Sequence, residues 1–250
     1  MNQGASTVRF MVIVSVAFIA VLATVNELTK SQIERNFRIE QAKKMLYAFN
    51  IFPEGAQPEE FSPTATTADI PWKEGQVLET LDDEIQTVTL SIPESMRDSL
   101  QGTFLEGMDS IEIYERVNEN DEVVAYGLPL YGKGLWGTIE GFGVIGADLQ
   151  KMQGIAFTQQ VETPGLGARI TEEEFKSYFR NLDLSGFHQE ETAQPPIIMV
   201  KDKAQTNQEN STNSIQAITG ATQTSQGVLN MVNSNVALYI DIIQASKNQA

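Results

Sequence analysis

The stretch "FMVIVSVAFIAVLATVN", Phe10 to Asn26, carries no charge between Arg9 and Glu27. It limits the fold more than any other feature, because so long an apolar run must be buried in a core, inserted in lipid or removed. As a helix it spans roughly 26 Å, the short end of what crosses a bilayer. A cleaved secretory signal is the competing reading, with Val21 and Ala23 as its cleavage signature. The positive region ahead of the stretch is thin, however, and the helical pattern runs straight on, which favours an uncleaved anchor in contact with membrane lipid through residues 10–26. Lys30, Arg35, Arg38, Lys43 and Lys44 follow it, and the positive-inside rule taken alone puts the body of the chain in the cytoplasm.

Beyond the anchor, Ile33, Phe37, Met45, Leu46 and Phe49 recur at near-helical spacing on a charged background. The pattern predicts a helix over 27–50. "FPEGAQPEEFSPTATTADIPW" gathers Pro, Thr and acids and reads as a linker or an extended surface loop. Residues 27–83 are thus a juxtamembrane helix and linker, and residues 84–250 the main domain.

Strand-like segments follow at 84–92, 110–117 and 122–130, the last two joined by the turn "NEND". "GTIEGFGVIGADLQKMQGIAFTQQVE" reads as a second hairpin. "TEEEFKSYFRNLD" predicts a helix capped by Thr171 with an acidic first turn. "PPIIMVKD" reads as a short buried strand and "KAQTNQENSTNS" as a polar loop. A long final helix has Val228, Val232, Val236, Ile240 and Ile243 on one face. Strands and helices do not alternate regularly, so the expected fold class is α+β: an N-terminal transmembrane helix, then a mostly antiparallel sheet with packed helices.

Composition narrows the chemistry. The 250 residues carry a formal net charge of -16, which repels nucleic-acid phosphates and argues against such a partner. There is no cysteine and a single histidine, His188. Thiol catalysis, cysteine-ligated clusters and disulfides are excluded, and a histidine metal site or triad has too few members. Carboxylates, hydroxyls or a bound cofactor remain, and no catalytic residue or metal ligand is assigned.

"QAITGATQTSQGV", 216–228, crowds Thr219, Thr222, Thr224 and Ser225 around Gly220 and Ala221 at the start of the final helix. Two readings compete. The hydroxyls could cap the helix. Alternatively, the free N–H groups and the positive pole of the helix dipole could hold a phosphate, with Gly220 allowing the tight turn before it.

"GKGLWGTIEGFGVIG" (132–146) and "ETPGLGARI" (162–170) precede "TGATQTSQGV" in that order. With these motifs, residues 84–245 resemble the FMN-binding domain of the NqrC family, found in sodium-translocating NADH:quinone oxidoreductases, and its counterpart in the related Rnf electron-transfer complexes. "GKGLW" tilts the resemblance towards the quinone-reductase family. The resemblance implies FMN attached by a phosphoester to Thr222, installed by a separate flavin transferase, in a single-pass protein of the bacterial inner membrane. It places residues 1–9 in the cytoplasm and the main domain outside it, against the charge count. It also implies other subunits of a membrane redox complex as partners, between which the flavin relays single electrons. Around the flavin it points to Leu135, Trp136, Glu162, Thr163, Gly165, Leu166 and Gly167, beside Thr219, Gly220, Ala221, Thr224 and Ser225.

Among these residues, Leu135, Trp136 and Leu166 could pack on the flavin ring, with Trp136 equally readable as a core aromatic. Gly134, Gly141 and Gly143 allow close approach of a ligand. Glu162 could order its turn by accepting backbone N–H bonds, and Arg169 could face the phosphate or form a surface salt bridge. Gln216 stands where the transferase motif carries an acid. The alternatives to the electron-relay reading are a flavin-free scaffold protein within such a complex and a stand-alone FMN-linked reductase.

Overall fold

The computed structural model describes residues 3–73, 75–188, 196–200 and 212–248. The first helix, α1 (Gln3–Ala48), is continuous, but the chain divides within it into two units, residues 1–41 and 42–250. In the first unit Phe10, Ile13, Phe18 and Leu22 are all exposed, so the stretch forms no protein core. It is the one described helix long and apolar enough to cross a membrane.

In the second unit the predicted stripe is buried: Met45, Leu46 and Phe49 pack inside, while Ile33 and Phe37, in the first unit, stay exposed. The segment after α1 is less loose than a linker. Phe52 stacks edge-on with Tyr47 and with Phe61, and the carbonyls of Pro63 and Ala65 accept the N–H groups of Glu174 and Glu173. Backbone hydrogen bonds to a distant segment satisfy groups that a free loop would leave to water.

Helix α2 (Gln76–Glu84) leads into a sheet built from β1 (Ile85–Ser91), β2 (Ser110–Val117), β3 (Val123–Lys133), β4 (Thr138–Gly146), β5 (Lys151–Gln159) and β6 (Leu182–Asp183). The spatial order equals the chain order and every neighbouring pair is antiparallel. Short turns join β2 to β3, β3 to β4 and β4 to β5, whereas long segments separate β1 from β2 and β5 from β6. The "NEND" turn closes because the Asn118 side-chain oxygen accepts the N–H groups of Asn120 and Glu122, while Asp121 takes the left-handed conformation.

Helix α3 is short (Glu173–Lys176), and Thr171 does not cap it. Thr171 ends a 3-10 turn, Gly167–Thr171, and donates its hydroxyl to the Ala168 carbonyl. Glu172 takes the capping position without a side-chain bond. Strands β7 (Ile198–Val200) and β8 (Ser214–Gln216) pair in parallel beside the main sheet. Residues 195, 201 and 202 of the expected strand, and 203–211 of the expected polar loop, lie outside the described residues.

The final helix, α4 (Thr222–Lys247), buries Val228, Val232, Val236, Ile240 and Ile243 in the core. Gly227 lets the helix backbone meet the end of β3, where an added Cβ would strike the Lys133 carbonyl. That close approach sets the N-terminus of α4 beside the β3–β4 turn. Gly141 and Gly143 serve the same purpose within the protein. A Cβ on Gly141 would meet the Ala156 carbonyl, and one on Gly143 would meet Leu130 and Met152, so these glycines admit packing and not a ligand.

Candidate functional site

Three sequence motifs meet at one buried carboxylate. Glu162 is 5% exposed. Its Oε1 accepts the Trp136 N–H at 3.0 Å, which ties down the β3–β4 turn. Its Oε2 accepts the Thr224 hydroxyl at 2.6 Å, which ties down the first turn of α4. Its own N–H donates to the Gln160 side chain at 2.7 Å. A buried carboxylate is costly unless its lone pairs are satisfied, and here uncharged donors satisfy them.

The glycines of the motifs make room for that carboxylate. A Cβ on Gly134 would collide with Oε1, and a Cβ on Gly167 would lie 2.8 Å from Oε2 and 2.7 Å from the Thr224 hydroxyl. Gly165 takes the left-handed conformation in the same loop, φ 74°, and the exposed Thr163 supplies the carbonyl that accepts the N–H groups of Leu166 and Ala168. The order of "GKGLW", "ETPGLG" and "TGATQTS" along the chain thus becomes a single knot in space.

At the start of α4 the hydroxyls divide into two kinds. Thr224 and Ser225 are buried. Ser225 accepts the Ile218 N–H and donates to the Ala221 carbonyl, both at 3.0 Å, which fixes the turn before the helix. Thr219, Gly220 and Thr222 are exposed. Ala221 is the capping residue and offers no side-chain bond. The capping expectation therefore fails: the buried hydroxyls fasten the loop, and none satisfies the free N–H groups of the first helical turn. Those groups remain available to an anion from outside.

Apolar side chains stand open around this corner. Trp136 is 69% exposed, which rules out the core-aromatic reading, and Leu135 and Leu166 are exposed as well. Gly220, at φ 80°, would bring a Cβ to 3.3 Å from a Leu166 methyl, so Leu166 borders the turn that carries Thr222. Exposed Val161, on which Gly137 packs, was not singled out by the sequence; nor was Gln160, which carries no motif signal.

Arg169 is paired, to Glu172 at 3.1 Å and Glu174 at 2.8 Å, so the salt-bridge reading holds. Together with Gln216 and Thr219 it lines a cavity of about 50 Å³ behind the loop.

Residues 134–237 match the family described as FMN-binding domain. Over 123 residues the chain is 32% identical to the NqrC protein of the Na(+)-translocating NADH-quinone reductase of Yersinia pestis, a match covering 49% of this chain and 44% of that protein. Over 209 residues it is 25% identical to the NqrC protein of Vibrio campbellii, covering 80% and 77%. The match thus spans less than half the length of the Yersinia relative. Among solved structures, NqrC from Parabacteroides distasonis superimposes with a TM-score of 0.59 at 17% identity, over 85% of this chain and 96% of that one. NqrC from Shewanella oneidensis gives 0.56 at 15%, over 80% and 91%. Through residues 134–237, which match the FMN-binding domain model, the chain is similar in sequence to the NqrC proteins of Na(+)-translocating NADH-quinone reductases, and it is similar to solved NqrC structures in fold.

Proposed function

We propose that this protein is a membrane-anchored flavoprotein subunit of an ion-translocating NADH:quinone oxidoreductase, with FMN esterified to Thr222. One observation carries the reading: Thr222 is exposed at the uncapped N-terminus of α4, in a turn bordered by Leu166, while Leu135 and Trp136 stand open on the β3–β4 turn that Glu162 joins to the same helix. The residues fit the group. Free helix N–H groups suit a phosphate, Gly220 admits the approach, and the apolar side chains suit a flat ring system. When bound, FMN supplies one- and two-electron transfer, which no side chain here can provide.

The chain's own residues hold and shield the site. Glu162, Thr224 and Ser225 fix the three loops, while exposed Leu166 and Trp136 offer apolar surface to the ring system. An ester bond makes retention independent of affinity, which suits a domain whose net charge repels free anions. Attachment falls to a separate transferase, and other subunits of the complex donate and accept the electrons. Gln216, standing where the transferase motif has an acid, is the specific observation that favours the flavin-free scaffold as a second reading.

Thr222→Ala decides between them. The flavoprotein fluoresces in a denaturing gel and gains the mass of one esterified FMN, whereas the variant folds but loses both signals. Wild-type protein that stays unmodified beside an active transferase, or a variant that still fluoresces, overturns the proposal.

We place the second unit on the extracytoplasmic side, following the family resemblance over the positive-inside count. A C-terminal reporter that is active only in the cytoplasm should be silent, and activity from that fusion reverses the placement.

A further inference from the structure

The main sheet is split between β2 and β3. These strands pair from Tyr114↔Gly127 to Val117↔Val123 and no further. Over 110–113 β2 pairs only with β1, and over 128–133 β3 pairs only with β4. Pro129 explains the break. The Tyr131 N–H faces away from β4, because it donates to the Asn235 side chain of α4 at 2.7 Å. By the two-residue alternation of a strand, Pro129 faces the same way, and it has no N–H to offer a partner.

The opening is a groove of about 520 Å³, bordered by Phe104, Met108, Tyr114, Pro129, Tyr131 and Tyr239. That size falls within the roughly 300–1,000 Å³ of small-molecule sites. It lies on α4 about 25 Å from Thr222, at 1.5 Å of rise per residue. Phe104 packs against Tyr131 with ring centroids 5.3 Å apart and against Tyr239 at 6.0 Å. Met108 is 45% exposed and Tyr131 43%.

Tyr239 is the unusual member. Its side chain is 2% exposed, yet its hydroxyl makes no hydrogen bond to the described residues. Among the described residues the fully enclosed side-chain atoms without a partner belong to Trp72 and Lys176, so the Tyr239 hydroxyl keeps access to solvent, and the groove that Tyr239 borders is where it can donate to an acceptor. Burial, reinforced by the neighbouring Tyr131 and Tyr114, keeps it protonated by pushing its pKa up. Exposed Glu112 stands at the rim, close enough to raise the pKa of Tyr114, and it opposes anions.

We infer that this groove is a second binding site, separate from the Thr222 corner, for an uncharged planar aromatic compound whose carbonyl accepts the Tyr239 hydroxyl. Aromatic side chains on several sides suit a flat molecule, and the thioether of Met108 adds a polarisable contact to it. Glu112 excludes the anionic forms of the same ring. The site does not depend on flavin at Thr222.

Coumarin and coumarin-3-carboxylate test this on the full chain in lipid nanodiscs, with retention by equilibrium dialysis corrected for empty nanodiscs. Methyl-labelled methionine locates the ligand by NMR, the Met108 signal being assigned with Met108→Leu. Coumarin should bind saturably and shift the Met108 methyl, and the carboxylate should bind at least tenfold more weakly. Tyr239→Phe should weaken coumarin about fivefold to tenfold, the value of one hydrogen bond, without lowering the melting temperature. Should that variant fail to fold, Met108→Glu, at an exposed position, should abolish coumarin binding. No saturable shift at Met108, equal binding of the carboxylate, or undiminished binding by a folded Tyr239→Phe or Met108→Glu protein overturns the inference. A Met108 signal that follows protein concentration and ignores coumarin also overturns it, and assigns the groove to a second copy of the chain.

Discussion

Two glutamates are buried to the same degree, Glu162 at 5% and Glu173 at 6% exposure, and the protein treats them in opposite ways. Glu162 is held by uncharged donors, a backbone N–H and a threonine hydroxyl. Glu173 sits among charges: it pairs with Arg180 and accepts the Tyr47 hydroxyl, while the Lys176 ammonium lies 3.6 Å from the centre of the Tyr47 ring. The first arrangement joins three loops through a carboxylate that no cation among the described residues pairs. The second clamps the end of α1, through Tyr47, to the segment after β5, and it includes a flaw: the buried Lys176 amine has no hydrogen-bond partner among the described residues. The candidate site is fastened by neutral donors, whereas the joint at Glu173 is fastened by a strong, imperfect ion pair.

Removing Glu173 should be the most damaging single change. Glu173→Ala strands the Arg180 and Lys176 cations, and uncovering a buried pair in this way costs about 3–5 kcal/mol. Chemical unfolding of the two proteins measures it. A loss no greater than that of Glu162→Ala would erase the distinction between the two glutamates.

Lys176 sharpens the comparison in the other direction. Burial, only partly offset by Glu173, lowers its pKa from 10.5 to about 8. Between those values the unfolded state holds the proton more tightly than the folded state, so stability rises with pH across about 8 to 10.5, and the whole penalty applies below pH 8. Lys176→Met should therefore stabilise the protein near neutral pH, by on the order of 3 kcal/mol, with the gain shrinking as pH climbs through that window. Unfolding midpoints at pH 7 and pH 10 report it, and a gain that is independent of pH refutes the assignment to Lys176.

The smallest effect belongs to the Glu162 knot. In Gly134→Ala the new methyl meets the Glu162 carboxylate and Ile139, an overpacking that costs about 1–3 kcal/mol. Hydrogen exchange should quicken at the Trp136 N–H while the sheet core stays protected. Unchanged protection at Trp136 would mean that the carboxylate does not fasten the turn.

Much of the sheet was legible because each strand is a local pattern. β1, β2 and β3 fall within a few residues of their apolar-polar segments, and the "NEND" turn carries its own hydrogen-bonding side chain. The face of α4 was legible for the same reason. Thr171 misled because a threonine before an acidic run has the local signature of a cap, yet the preceding 3-10 turn takes its hydroxyl. Gly141 and Gly143 misled because a glycine records that something comes close without naming what does. The groove had no local signature at all, since Phe104, Tyr131 and Tyr239 are joined only by folding.

By itself the sequence determined an apolar N-terminal helix, the absence of thiol chemistry, a mostly antiparallel sheet and the motifs that meet near Thr222. Each rests on spacing along the chain, which periodicity and turn chemistry make local. Only the tertiary structure decided that Glu162 is the knot joining those motifs, that Thr222 is exposed while Thr224 and Ser225 are buried, and that Pro129 opens the sheet beside Tyr239. Those outcomes depend on which groups from distant segments satisfy one another when water is excluded, and no stretch of sequence records that pairing.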